Sequence, residues 1–493
     1  MEFEMIRGIG ATASALLGVL LLAWAPPASP DAQLYQPAAL RADLEEMYRR
    51  LKGAHIDLYA FKPRAEMDRA YAETLSRLDR PMTRMQAQVM LQTFLARAKM
   101  GHTRIDFPHQ AWAAFRAGGG KSFPLAIRPV GGRVWVTDNM SGSDAVKRGD
   151  ELLALEGEPI GGWLARTGRH VSAETTYMRD SLLEFEFARL LWLEIGQKER
   201  FTVTLRRDGR PFDVVLSART REEAIAFAAA QSPTLDLDTP LRQARMLEGG
   251  IAYLRPGPFY NAEAETEADM FDARGFIVFI DKAFEDFIEA GASDLIIDLR
   301  ANPGGDNAFS DPMIAWFADR PFRFFSMFKV KVSPEAIAAN QARIDHDPAT
   351  AGEVSQLYAR LYAGARPGEV VDFPMAHAQP RAGRRFTGRV WLLIDRQSYS
   401  NTVSVAALVQ DYGFGKVLGE PTSDMASTYG AMERFTLANT ELSVGFPKAR
   451  IVRPNGDRRS RGVTPDIPIR SPIVQTPADE MLASTIAAVK ARR

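Results

Sequence analysis

No cysteine occurs anywhere in the 493 residues. Disulfide bonds, thiolate nucleophiles and cysteine-held zinc are therefore excluded. Histidine is scarce, with six in the chain. None falls in an HExxH or comparable spacing, so nothing supports a metal site, and no cofactor is expected. An excess of charge of one sign is missing too: Lys+Arg and Asp+Glu each total 61. No basic run marks a nucleic-acid partner. Long apolar stretches are confined to the N-terminus. What remains is a globular composition, 46% hydrophobic and 25% charged, in a chain too long for one ordinary core. About two to four domains is the expectation from such a length.

The one apolar stretch is informative. Arg7 precedes an uncharged run from Gly8 to Ala25, and Pro26, Pro27 and Pro30 then break any helix. Residues 1–32 read as a secretory signal peptide, with Ala23-Trp24-Ala25 and Ala28-Ser29 as imperfect cleavage sites. An uncleaved membrane anchor is the alternative, since the run is near the lower limit for a span. Export to a bacterial periplasm, or secretion, is the expected meaning, with no other membrane attachment.

Residues 33–110 carry helical spacing at Leu40, Leu44, Met47, Tyr48 and Leu51, and again at Met90, Leu91, Phe94 and Leu95. His55 lies between these helices and reads as a packed loop histidine. Gly101 stops the later helix and makes His102 the first side chain of the exit loop. Residues 120–217 change to short strands and glycine-rich turns around Val134–Thr137, Val146–Ile160, Phe201–Leu205 and Phe212–Leu216, with a helical insert over Ser172–Ile195. The order of "GDELLALEGEPI" looks like a PDZ-type module, which takes a peptide as an added strand. Residues 218–245 read as a connector.

Two strand–loop–helix units and a hairpin suggest an α/β/α core over 246–475, closed by a C-terminal helix in 476–493. In the first unit the strand Asp294–Leu299 runs into Arg300-Ala-Asn-Pro-Gly-Gly-Asp306. Its glycine pair lets backbone N–H groups approach a reacting oxygen, or simply makes a tight turn. In the second, Arg389–Asp395 is a buried strand, Arg396–Ser400 a turn and Asn401–Tyr412 a helix stopped by Gly413. Ser400 faces the positive end of that helix. Alone, it reads as an N-cap as readily as a nucleophile. Residues Phe322–Phe373 between the units are expected to wall or cover a cleft.

Taken together, "IIDLRANPGGD", "IDRQSYSNTVSVAALVQDYGFGKVLGEPT" and "RGVTPDIPI" resemble, in order, the motifs of peptidase family S41, the tail-specific or C-terminal-processing serine peptidases. The resemblance implies a crotonase-like catalytic core within a multidomain α/β chain. It puts Ser400 on the nucleophile and Gly304, Gly305 and Asn401 on the oxyanion hole. The Ser–Lys branch of that family has a lysine where this chain has Met425. The tricorn-like branch has a histidine before the PDZ-like region, a slot matched by His102, which would serve as base. That branch also has a carboxylate shortly before "GVxPDI", where this chain has Arg459. Asp457 and Glu420, and less so Asp411, are the possible acids. The implied function is cleavage of unfolded or C-terminally exposed polypeptides. The alternative is an inactive relative that binds peptides or hydrophobic ligands.

Overall fold

The computed structural model describes residues 33–237, 242–266, 268–346 and 352–492. The expected signal segment lies outside them. Among the described residues no helix is long and apolar enough to cross a membrane.

The central sheet is built from strands that are apolar at nearly every position and buried on both faces, the signature of parallel pairing. Ile251–Arg255, Asp294–Asp298, Arg389–Ile394 and Lys416–Gly419 pair side by side in parallel. Gln243–Leu247 adds an antiparallel edge and Ile467–Pro468 the opposite edge. Successive side chains alternate between the faces. Leu295, Ile297, Leu392 and Ile394 pack on one side with Phe276, Ile280 and Phe284 of the helix Arg274–Glu289 and with Val405 and Leu408 of Asn401–Tyr412. Ile296, Trp391 and Leu393 meet Met481, Leu482 and Val489 of the helix Glu480–Lys490 on the other. Helices on both faces make a three-layer core and put both strand-to-helix turns at the same end of the sheet.

A second sheet pairs Val370–Asp372, Met327–Lys331, Ser443–Val452 and Thr428–Thr436 in that order. The N-terminal helices Pro37–Ala54 and Arg84–Ala96 do not form a core of their own. Leu40, Leu44, Met47, Leu51 and Phe94 pack against Phe435, Leu437, Val444 and Phe446 of the hairpin. Buried Asp43 accepts hydrogen bonds from Asn439 N–H, Thr440 N–H and Thr440 Oγ1, tying the helix to the hairpin turn.

Residues 120–217 form a separate sheet in the order Leu125–Val130, Arg133–Asn139, Glu151–Leu155, Arg200–Arg207, Arg210–Ser217. The helical insert is Thr176–Ile195. The stretch Val146–Ile160 divides into Glu151–Leu155 and Glu158–Pro159, and a helix begins at Ile160. The 218–245 segment contains a helix not expected from the sequence, Arg221–Ala229, with a complete capping box between Thr220 and Glu223. That Thr-x-x-Glu signal was present in the sequence.

Candidate active site

Two turns meet at the end of the central sheet. Ala301 N–H donates to Asp395 Oδ1 at 3.1 Å, Ser398 Oγ to the Leu299 carbonyl at 2.8 Å, and Tyr399 N–H to the Asn302 carbonyl at 2.9 Å. The glycine loop is thereby pressed onto Ser400. A Cβ on Gly304 would lie 2.8 Å from both Ser400 Cβ and Asn401 N. A Cβ on Gly305 would fall 1.9 Å from the Phe259 carbonyl oxygen. Both sit at positive φ, 92° and 143°, so glycine is required here twice over.

Ser400 does not behave as an N-cap. An N-cap holds extended backbone and accepts from the first turn through its side chain. Ser400 has φ 54° and ψ −123°, and its side chain makes no capping bond. Backbone of that kind costs on the order of 1–3 kcal/mol for a non-glycine residue and persists only where its surroundings enforce it. The enforcing contact is Asp424, whose Oδ2 accepts from Ser400 N–H at 2.7 Å while Oδ1 accepts from Met425 N–H at 2.8 Å. Burial raises the Asp424 carboxyl above its usual range against the pull of these donors.

The three residues assigned around the oxyanion divide. Gly304 N–H donates to Asn302 Oδ1 at 3.0 Å, so Gly304 supplies close approach and no free donor. Gly305 N–H and Asn401 N–H have no hydrogen-bond partner among the described residues. Asn401 directly follows Ser400, and Gly305 follows the Gly304 that is pressed against it.

His102 leaves the helix region in the turn after Gly101. Its Nδ1 is buried without a hydrogen-bond partner. The ring hydrogen-bonds the Tyr429 backbone, and Gly430 lies against Cε1. Burial, helped by the Arg104 guanidinium, lowers its pKa to about 4 against the opposing Tyr429 carbonyl. The imidazole is therefore neutral at pH 7. Gly101 N–H donates to Glu174 Oε1 at 3.1 Å. Glu174 in turn interacts electrostatically with Asp424, which brings the His102 turn and the Ser400 turn to one buried group of charges. His55, in contrast, is a packed histidine: Nε2 meets Thr103 Oγ1 at 2.9 Å and Nδ1 accepts from Asp57 N–H.

The possible acids are all engaged elsewhere. Asp457 pairs with Arg459 and Arg461, which hold its carboxyl far below the usual range. Glu420 pairs with buried Arg396 and accepts from Ser471 N–H. Asp411 pairs with Arg453. Among the described residues none of them, nor any other carboxylate, is ion-paired with His102. Met425 packs with Ala173, Met178 and Tyr399 in a purely apolar contact, so the lysine slot holds no cation. Asp424 and Glu174 were missed. Asp424 had a weak signal, an acid directly after "GEPTS"; Glu174, at the mouth of an inserted helix, had none.

Beyond the glycine loop the helix Asn307–Ala315 borders a cleft of about 1020 Å3, lined by Phe324, Phe328, Phe373, Arg360 and Asp311 among others. The expectation of a cleft wall at 322–373 matches this.

The model of Peptidase family S41 matches residues 277–469, which contain the glycine loop, Ser400 and Asp424. Residues 277–469 thus carry the sequence pattern of that family. The chain is thereby a serine-type peptidase. Among solved structures it resembles mature CPAF at 16% identity and TM-score 0.60, over 88% of this chain and 92% of that one. Mature CPAF complexed with lactacystin gives 15% identity and TM-score 0.60, over 92% and 98%. At such identity the likeness is one of fold, and it extends to most of both chains. No curated protein matches the sequence.

Proposed function

We propose that the chain is an exported S41 peptidase in which Ser400 attacks the scissile carbonyl and His102 acts as base, then acid. The observation that carries this is the backbone of Ser400, held at φ 54° at a helix start with no capping bond. A fold accepts that strain where a hydroxyl must be presented rather than used as a cap. Neutral His102 can take the Ser400 proton and return it to the leaving amine. The Tyr429 carbonyl favours the proton on the ring nitrogen facing it, which leaves the lone pair on Nδ1. Gly305 N–H and Asn401 N–H would receive the oxyanion. Among the described residues no carboxylate is ion-paired with the ring, so the reading is a Ser–His pair.

The substrate class is an unfolded or C-terminally exposed polypeptide, which the PDZ-like module at 120–217 would present as an added strand. The three-layer, crotonase-like core would then receive apolar side chains in the phenylalanine-lined cleft. Export rests on the apolar run of residues 1–32.

A fluorophosphonate probe on the chain without residues 1–32 tests the reading. Wild type is expected to be labelled, Ser400→Ala to be blank and His102→Ala to be slowed at least about 100-fold. An unlabelled wild type that leaves unfolded peptides intact would instead identify a peptide-binding relative.

A further inference from the structure

The segment Val171–Met178 leads from the strand-rich module into its long helix, yet it touches both halves of the site. Ser172 Oγ donates to the Thr103 carbonyl at 2.8 Å, next to His102. Gln92 Nε2 donates to Ser172 Oγ at 3.2 Å, anchoring the segment to the N-terminal helices. Glu174 Oε1 accepts from Gly101 N–H at 3.1 Å. Toward the other turn, Ala173 and Met178 pack with Met425 and Tyr399, and Tyr177 Oη donates to the Pro421 carbonyl at 2.9 Å. The strap therefore spans the gap between a turn at residue 102 and a turn at residue 400.

We propose that Glu174 is a positioning residue that fixes the His102 turn against the Ser400 turn and so couples the strand-rich module to the chemistry. The proposal rests on the Ser400–His102 reading. Glu174 is built for such a role. Its Oε2 is buried without a hydrogen-bond partner, and a side chain serving only the fold is seldom left so. A Cβ on Gly101 would lie 3.0 Å from Met178 Cε and 3.4 Å from Glu174 Oε2, so glycine is what lets the strap close on the turn. The charged and titratable groups around Glu174 are Asp424, Arg104 and Tyr399. Burial foremost, with Asp424 adding to it, raises its carboxyl to about 7 against the Gly101 N–H and Arg104. An ionised acceptor binds that N–H more strongly than a neutral one. The His102 turn is thus held harder as the pH rises through about 7.

The test compares fluorophosphonate labelling of wild type, E174A and E174Q between pH 5 and 9, separating maximal rate from probe affinity, with near-ultraviolet dichroism to verify the fold. The wild-type rate is expected to rise severalfold through pH 7. E174A should lose at least about 10-fold in maximal rate with affinity unchanged, since it removes orientation and not binding. E174Q, which keeps an acceptor oxygen, should recover most of the rate and lack the rise. If wild type labels and folded E174Q shows the same rate and the same pH step, the proposal is overturned while the Ser400 reading stands. If wild type never labels, both fall. Should E174A not fold, E174Q decides alone through its pH profile.

Discussion

The two strand-to-helix turns of the core are close copies with different endings. Each follows a buried parallel strand, and each contains one non-glycine residue at positive φ, Ala301 at 52° and Ser400 at 54°. Each opens a helix, Asn307–Ala315 and Asn401–Tyr412. The first ends conventionally. Asp306 has extended backbone at φ −111°, and its side chain accepts from Ala308 N–H at 2.8 Å. The second puts its strain on the residue before the helix and forgoes the cap. The difference teaches where stability was given up: a cap is worth about 1 kcal/mol, and strained backbone costs about as much again. At Ser400 both are given up where the glycine loop meets the helix start.

The comparison can be broken most forcefully at the hydroxyl. Ser400→Ala should reduce peptide hydrolysis by at least about 10^3-fold, as loss of a nucleophile does, while the urea midpoint stays within error of wild type. A large loss of stability would mean that the serine is structural after all. Gly305→Ala should destabilise by about 3 kcal/mol or more, because its Cβ has only the Phe259 carbonyl to meet. An unchanged midpoint would show that the loop can retreat from Ser400. At the conventional turn, Asp306→Ala should cost about 1 kcal/mol and leave labelling by the probe nearly intact. The mirror experiment, Ser400→Gly, should gain about 1 kcal/mol by releasing the positive φ; calorimetry that finds no gain would remove the strain from the account.

The smallest effect is one of pH. In an E174Q background the acid limb of labelling should lie near pH 4, where His102 takes its proton, and not near 6.5. Stability follows the same group. The unfolded chain protonates this histidine from about 6.5 downward, and the folded chain only near 4. The unfolded state therefore binds more protons in that window, and stability falls as the pH drops through it. Relative to His102→Gln, the protein should lose ground between pH 6.5 and 4. A constant difference would show that the ring is not held neutral.

Much of this was legible in the sequence because local rules and tertiary demands agreed. Continuous apolar strands, the glycine pair and the helix Asn401–Tyr412, with Gly413 at φ 71° behind it, are specified by neighbouring residues. That Ser400 does not cap its helix was not legible, since serine suits both a cap and a nucleophile and only the backbone angle and the missing capping bond set the cap aside. His102 was readable as a loop residue, but its lowered pKa comes from tertiary burial foremost and the Arg104 guanidinium next, against the Tyr429 carbonyl. Asp457 and Glu420 were misleading because sequence proximity to a motif says nothing of which arginine lies across from a carboxylate. The helix Arg221–Ala229 was obscured by the polar and proline-rich residues that follow it. Glu174 could not have been found, for its importance depends on Gly101 and Asp424, 73 residues before it and 250 after it along the sequence.

The packing of Leu44, Met47 and Phe94 against Phe435, Val444 and Phe446 has a consequence for how the enzyme is born. The helices that carry His102 into place are synthesised first, but the strands that complete their core are made more than three hundred residues later. Closing so long a loop is slow compared with forming local structure. A ribosome-bound or truncated chain ending before the hairpin therefore has a His102 turn with no fixed address and, for most of synthesis, no Ser400.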